Sequence, residues 1–223
     1  MRRRFINNVK NNKVDYNDYM TIEAINDVSL HFIGRNLSYS YDCKIWYTFF
    51  DMSTLNIDAG KQVFFKCNLT PGDSVGSFST KEGQINLKGN CLSLIFGDNA
   101  REQYSIAGFN HVFSNLFRYC NIMNVDENFL QATTLEISCY NNMFASSTLI
   151  TAPVLPAISL KDSCYHKMFN ECHNLNYIKM LATDISAYRS MDDWVYDVSP
   201  TGTFVKNPEA TWEVYGNSGI PEG

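Results

Sequence analysis

Three successive segments of this chain align at a spacing of 25 residues, and that period constrains the fold more than any other feature. Leu130-x-Ala132-x-x-Leu135 returns as Leu155-Pro156-Ala157-x-x-Leu160, and again as Met180-x-Ala182-x-x-Ile185. Cys139-Tyr140-x-x-Met143-Phe144 returns as Cys164-Tyr165-x-x-Met168-Phe169, and in the next copy Trp194 takes the place of the Phe. One copy earlier Leu116-Phe117 holds the Met-Phe place, at an offset of 27 that marks a small change in length. Leu149 and Leu175 fill the next apolar position, with Met123 before them. About four rungs result.

A unit of this size cannot bury its own apolar face, so neighbouring units must stack and share one. A fixed period of about 20–29 residues with apolar positions in frame predicts a short leucine-rich-repeat solenoid over residues 109–223. The ends of such a stack expose apolar side chains and unpaired backbone, so caps are needed. The tail from about residue 195, GTFVKNPEATWEVYGNSGIPEG with Phe204, Val205 and Trp212, breaks the repeat and reads as the C-terminal cap. Before residue 108 the pattern differs. TIEAI, VSLHFIG, KIWYTFF, QVFFKCNL, GQINLKG and CLSLIFG read as short strands. Turn residues separate them at Asp58-Ala59-Gly60, Pro71-Gly72-Asp73, Lys81-Glu82-Gly83 and Gly97-Asp98-Asn99. The expected fold is therefore mainly β: a β-sandwich-like domain at 15–108, then the repeats.

Charge is spread unevenly. Residues 1–14 hold Arg2, Arg3, Arg4, Lys10 and Lys13 with no acid among the first thirteen, which leaves 13 basic against 23 acidic side chains, or −10, for the remainder. A basic arm thus precedes an acidic body. Phe5, Ile6 and Val9 lie among its charges, and Arg with Phe favours anchoring on an acidic protein surface. Non-specific nucleic-acid binding by five charges would be weak and salt-dependent. No apolar stretch approaches the roughly 18 residues of a membrane span. No apolar segment follows the three arginines, so no signal peptide is expected and the chain should remain where it is made. Seven cysteines, an odd number without a secreted spacing, are expected as free thiols.

The stretch Cys164-x-His166 with Cys172-His173 resembles a zinc knuckle. Four ligands must converge for such a site. In the repeat frame Cys164 matches Cys139, and Cys172 matches Cys120 and Ser147, positions that hold small buried side chains. His166 matches Asn141 and is expected to face solvent, and His173 lies in a turn. The expectation is core packing, with no metal and no cofactor. The same frame hides the thiols from nucleophilic work, and no catalytic elbow, zincin helix or phosphate loop is present. Asp192-Asp193 and Asp126-Glu127 sit beside turns and are expected to be solvated rather than a glycosidase pair. No catalytic residue is expected. Two aromatic groups, Tyr39/Tyr41/Trp46/Tyr47 and Trp194/Tyr196/Trp212/Tyr215, leave sugar stacking and core packing both open.

The run Leu149-Ile-Thr-Ala-Pro153-Val-Leu155-Pro156-Ala157-Ile-Ser-Leu160-Lys-Asp-Ser-Cys164-Tyr165-His-Lys-Met168-Phe169 resembles the BspA-like leucine-rich repeats of gut Bacteroidales and their phages, crAss-like ones included. The ending NYIKMLATDIS…GTFVKNP is similar to that family's last rung and cap. The segments YNDYMTIEA, NLTPGD and NLKGNCLSLIFGDNA are similar to a β-domain that often precedes the repeats. The resemblance implies adhesion, host recognition or particle decoration, without catalysis. With no export signal, the expectation is a virion component. Its arm would contact capsid or tail proteins, and its repeats would face a host surface protein or glycan. A bacterial or prophage-encoded surface adhesion module with an atypical export route is the alternative.

Overall fold

The computed structural model describes residues 16–222. The arm expected at residues 1–14, with Arg2, Arg3, Arg4, Phe5, Ile6 and Val9, lies outside the described residues. The chain is mainly β, arranged in several sheets. Its strands are β1 (Met20–Ala24), β2 (Val28–Gly34), β3 (Leu37–Ser40), β4 (Tyr47–Phe49), β5 (Ser53–Ile57), β6 (Gln62–Lys66), β7 (Gly76–Glu82), β8 (Ile85–Lys88), β9 (Ile122–Val125), β10 (Tyr177–Met180) and β11 (Thr203–Lys206). One short helix, α1, covers Ser93–Phe96.

A six-stranded sheet runs β4-β3-β6-β1-β8-β9 and a three-stranded sheet runs β5-β2-β7. Alternation along β2 shows why they pack. Val28, Leu30 and Phe32 are buried while Ser29 and His31 are only half-buried, the two faces of a strand of period two. Phe32 and Phe78 from the smaller sheet meet Phe49 and Phe65 from the larger. Their ring centroids are 5.5 Å apart for Phe32–Phe49, 4.8 Å for Phe32–Phe78 and 5.3 Å for Phe65–Phe78. On β1, Glu23 accepts hydrogen bonds from Gln62 on β6 (2.9 Å) and from Asn86 (2.7 Å) and Lys88 (2.9 Å) on β8. Three strands are thereby tied through one carboxylate. The expected turn at Lys81-Glu82-Gly83 places Gly83 at φ 82°, where an added Cβ would lie 2.3 Å from the Asp27 carbonyl. Only glycine fits there.

One expected strand is not a strand. CLSLIFG forms α1 and then a 3-10 turn over Gly97–Asn99. Leu92, Leu94 and Ile95 are all buried, and a short, wholly buried apolar run looks alike as helix or strand. The Asn90 side chain decides the outcome. Its Oδ1 accepts the Leu92 N–H at 2.9 Å and its carbonyl accepts the Ser93 N–H at 3.2 Å, which turns the chain. Strand β9, beyond residue 108, pairs in parallel with β8. A single apolar cluster then runs from Met20 to Val195, so the two expected parts share one core.

In the repeats, the Cys-Tyr-x-x-Met-Phe segments form ribbons of consecutive turns. Their amides can be followed one by one. From Ser138 to Ser147 they alternate between two kinds of partner. Cys139, Asn141, Met143, Ala145 and Ser147 donate to the carbonyl three residues back. Ser138, Tyr140, Asn142, Phe144 and Ser146 donate to Asp162, Cys164, His166, Met168 and Asn170 of the next ribbon, at 2.7–3.0 Å. The same alternation links residues 111–119 to 137–145, and 163–171 to 188–196. Every fourth residue takes a left-handed φ: His111, Asn115 and Tyr119; Ser138, Asn142 and Ser146; Ser163, Lys167 and Glu171; Arg189, Asp193 and Asp197. None is glycine. Asn and Asp accept this conformation most readily after glycine, and elsewhere it costs about 1–2 kcal/mol per residue. In the first three ribbons the bonds to the next ribbon hold it in place, and in the last the Asp193 N–H donates to Ser218.

A ribbon of period four points two residues in and two out. Cys139 and Tyr140, then Met143 and Phe144, are buried, as are Cys164 and Tyr165, then Met168 and Phe169. Leu135, Leu155 and Leu160 are buried with them, whereas Ile185 is half-buried. Fully buried Ile122, rather than half-buried Met123, follows Cys120 by two residues as Leu149 follows Ser147. Two aromatic stacks result. Phe78, Phe117, Phe144 and Phe169 stack with centroids 5.6, 5.9 and 5.8 Å apart and planes within 13°. Phe113, Tyr140 and Tyr165 form the second stack, at 5.6 and 6.1 Å. Both end on Trp194, which lies 6.5 Å from Tyr165 and 6.0 Å from Phe169.

Within the segment expected as the cap, β11 pairs in parallel with β10, Tyr177 opposite Thr203. Closure falls to a short terminal segment. Asn217 accepts the Val195 N–H (3.2 Å), Ser218 accepts the Asp193 N–H (3.0 Å) and Gly219 accepts the Trp194 indole (2.8 Å).

Candidate functional site

Among the described residues, no group of three or more His, Cys, Asp and Glu side chains is placed to hold a metal. The ribbon geometry explains why the Cys/His stretch does not make one. Cys164 and Cys172 point into the core with no exposed surface, while His173 is exposed on the other side, its Nδ1 3.5 Å from the Asp197 carboxylate. Burial pushes the Cys164 thiol up to about 12 and Cys172 up to about 11, so both stay protonated at neutral pH. Two of the buried thiols act as small donors. Cys172 Sγ donates to the Phe144 carbonyl at 3.0 Å, and Cys120 Sγ to the Phe78 carbonyl at 3.2 Å. All seven cysteines are free thiols, and Cys67 is half-buried while the others are buried.

His166 is half-buried rather than turned freely to solvent. Its Nδ1 lies 3.2 Å from the Asn141 amide of the preceding ribbon, and its Nε2 accepts from Arg189 Nη2 of the following one at 3.2 Å. Arg189 is itself held by Asp192 at 2.8 Å. A guanidinium can only donate, so Nε2 carries a lone pair and the neutral imidazole is the form that fits. Burial, and then the nearby Arg189 and Lys167 charges, hold the His166 pKa below its usual value. This bridge across three ribbons was not legible in the spacing, since Asn141, His166 and Arg189 share no residue type.

The acidic pairs are engaged singly. Asp126 accepts the Gly89 N–H at 3.0 Å, Glu127 lies 3.6 Å from Lys179, and Asp192 holds Arg189. His31 meets Thr54, and His111 is exposed on its own ribbon. The aromatics separate into two kinds. Trp194 is buried, Trp212 is half-buried with its indole donating to the Ala182 carbonyl (2.9 Å), and Trp46 lies under Lys66 at 4.0 Å. Tyr41 and Tyr47 are 50% and 48% exposed, and both lie against Tyr39, at 5.8 and 5.4 Å. Ile45, Phe50 and Met52 are exposed beside this edge strand β4. Tyr196 and Tyr215 are exposed at the terminal end.

Among the described residues, exposed side chains lie at the tyrosine cluster of β4 and on the outer face of the ribbons. On that face the left-handed positions carry one polar residue above another, Asn115, Asn142, Lys167 and Asp193. At the far end a cleft of about 340 Å³ opens between β10 and the loop before β11, lined by Leu175, Ile178, Val198, Pro200, Thr201 and Phe204. No helix among the described residues is long and apolar enough to cross a membrane. Compared with protein-family models, with curated proteins and with solved structures, the chain has no match.

Proposed function

We propose that this chain is a non-catalytic display protein, and that its stacked ribbons are a short leucine-rich-repeat solenoid of the BspA-like kind. The observation that carries the reading is the paired use of backbone amides in the ribbons. Each of the first three ribbons is tied internally by every second amide and to the next ribbon by the others. Such a ladder keeps outward side chains at fixed spacing, which suits recognition by many weak contacts. Two further observations support it. The column Asn115, Asn142, Lys167 and Asp193 is polar and mixed in charge. The ribbon thiols are buried, and two of them, Cys120 and Cys172, donate to carbonyls.

In this reading the protein is a virion component of a phage. Residues 1–14 dock on capsid or tail neighbours, and the ribbons face a host surface protein or glycan, with Tyr39, Tyr41 and Tyr47 as a second stacking surface. The test is removal of residues 1–14 followed by particle assembly. The truncated chain should fold, with an unchanged circular-dichroism spectrum, and be lost from purified particles. Undiminished incorporation would refute the anchor. Recovery of the chain on a bacterial surface in place of particles would favour the adhesion alternative. A glycan array without a binder would remove sugar as the partner and leave a protein receptor.

A further inference from the structure

Tyr140 and Tyr165 are neighbours in the second aromatic stack, with centroids 6.1 Å apart and planes tilted by 21°. They are 1% and 0% exposed. Neither hydroxyl meets a hydrogen-bonding partner among the described residues. The surroundings make this an exception. Ser93 Oγ donates to the Phe65 carbonyl at 2.9 Å, Ser190 Oγ to the Ile185 carbonyl at 3.0 Å, and the Trp194 indole to Gly219 at 2.8 Å. Even the weak thiol donors Cys120 and Cys172 reach carbonyls.

The stack itself does not require a hydroxyl. Phe113 occupies the same column one ribbon earlier, 5.6 Å from Tyr140 and nearly parallel to it. A hydroxyl taken from water into the core without a partner loses its hydration and gains nothing in return. Two such hydroxyls, one ribbon apart, point to a shared ligand that both accepts and donates. The ionisable groups acting on them are each other and the Cys91, Cys139 and Cys164 thiols, all buried and protonated. A cation would find no anionic ligand there, and an anion would find no positive charge. A small neutral molecule remains.

We infer that an ordered water bridges the Tyr140 and Tyr165 hydroxyls in the core between the second and third ribbons. It accepts from one phenol, donates to the other and turns its remaining hydrogen toward the thiol sulfurs, which accept weakly. The bridge couples two ribbons at depth, as the His166 bridge couples them near the surface.

The test combines a crystal structure of the full chain at high resolution with the variants Y140F, Y165F and Y140F/Y165F. A water peak should lie within hydrogen-bond distance of both hydroxyls. Each single variant should melt about 2–4 °C below the wild type. The double variant should melt no lower than the less stable single variant, because both hydroxyls act through one water. Hydroxyls that meet only sulfur in a dry core would overturn the inference, as would single variants that melt at or above the wild type. If a variant fails to fold, the wild-type density decides.

Discussion

Truncating Phe144 tests the aromatic stack most directly. The ring is wholly buried between Phe117, at 5.9 Å and 12°, and Phe169, at 5.8 Å and 7°. About 150 Å² of ring surface at ~25 cal/mol per Å² gives about 4 kcal/mol for Phe144→Ala. That agrees with the roughly 3–5 kcal/mol typical of such truncations, which includes the cavity left behind. A domain of this size is stable by about 5–15 kcal/mol, so the variant should fold but lie close to its limit. At about 2–4 °C per kcal/mol, the melting midpoint should fall by roughly 8–16 °C. Phe144→Leu keeps most of the volume and should lose under about 1.5 kcal/mol. Phe50→Ala, which removes an exposed ring, should stay within about 0.5 kcal/mol of the wild type. Urea unfolding followed by tryptophan fluorescence measures all three, and Trp194, at the end of the stack, reports on it. If Phe144→Ala is no more harmful than Phe50→Ala, the rings do not bear on one another and the stacked core is wrong.

Hydrogen bonds from Asn86, then Lys88 and Gln62, lower the Glu23 pKa to about 2, against an ordinary value of 4.5. Its stabilisation is therefore complete above about pH 4.5 and lost as pH falls towards 2. Glu23→Gln should cost roughly 2 kcal/mol at pH 7, allowing for partial solvent screening, and the difference from the wild type should vanish near pH 2 in urea titrations. His166, whose pKa is lowered in the fold, should show the neutral form by nitrogen NMR at pH 7. Its contribution is present above the unfolded value of about 6.5 and lost as pH falls through the lower folded value; a protonated ring at pH 7 would contradict the Arg189 contact. Of the seven thiols, only half-buried Cys67 should react promptly with Ellman's reagent in the native state, and all seven should react in guanidinium; several fast native thiols would contradict their burial. Deleting residues 145–169 joins Phe144 to Asn170 with the frame intact. The shortened chain should fold with lower stability, as stacked repeats do, and loss of near-ultraviolet ellipticity would show that the ribbons are not interchangeable.

The repeat was legible from residue letters alone, and so were its buried positions. Apolar residues returning in a fixed frame can only be reconciled with water by stacking, whatever backbone lies between them. That is why Cys164, whose neighbours resembled a zinc motif, was recognisable as a core residue from its match to Cys139. The strands of the first half were readable for the same reason, where alternation showed one face in and one out, as along Val28–Gly34.

What the letters did not contain was the form of the backbone. CLSLIFG was ambiguous until Asn90 bent it. The ribbons place residues such as Tyr119, Lys167 and Arg189 in a left-handed conformation that their side chains disfavour. The Tyr119 and Lys167 amides are satisfied by the Ala145 and Asp192 carbonyls, 26 and 25 residues away, so no local propensity records them. The recurring Asn and Ser at Ser138, Asn142 and Ser146 were the one trace, and it became readable only against the bonds that explain it. The His166 bridge, the shared core across β8 and β9, and the closure of the stack by Asn217 to Gly219 all depend on contacts between distant segments. Sequence determined which side chains had to be hidden together. The tertiary structure decided how the backbone hides them, because hydrogen bonds between neighbouring ribbons outweigh what each residue prefers alone.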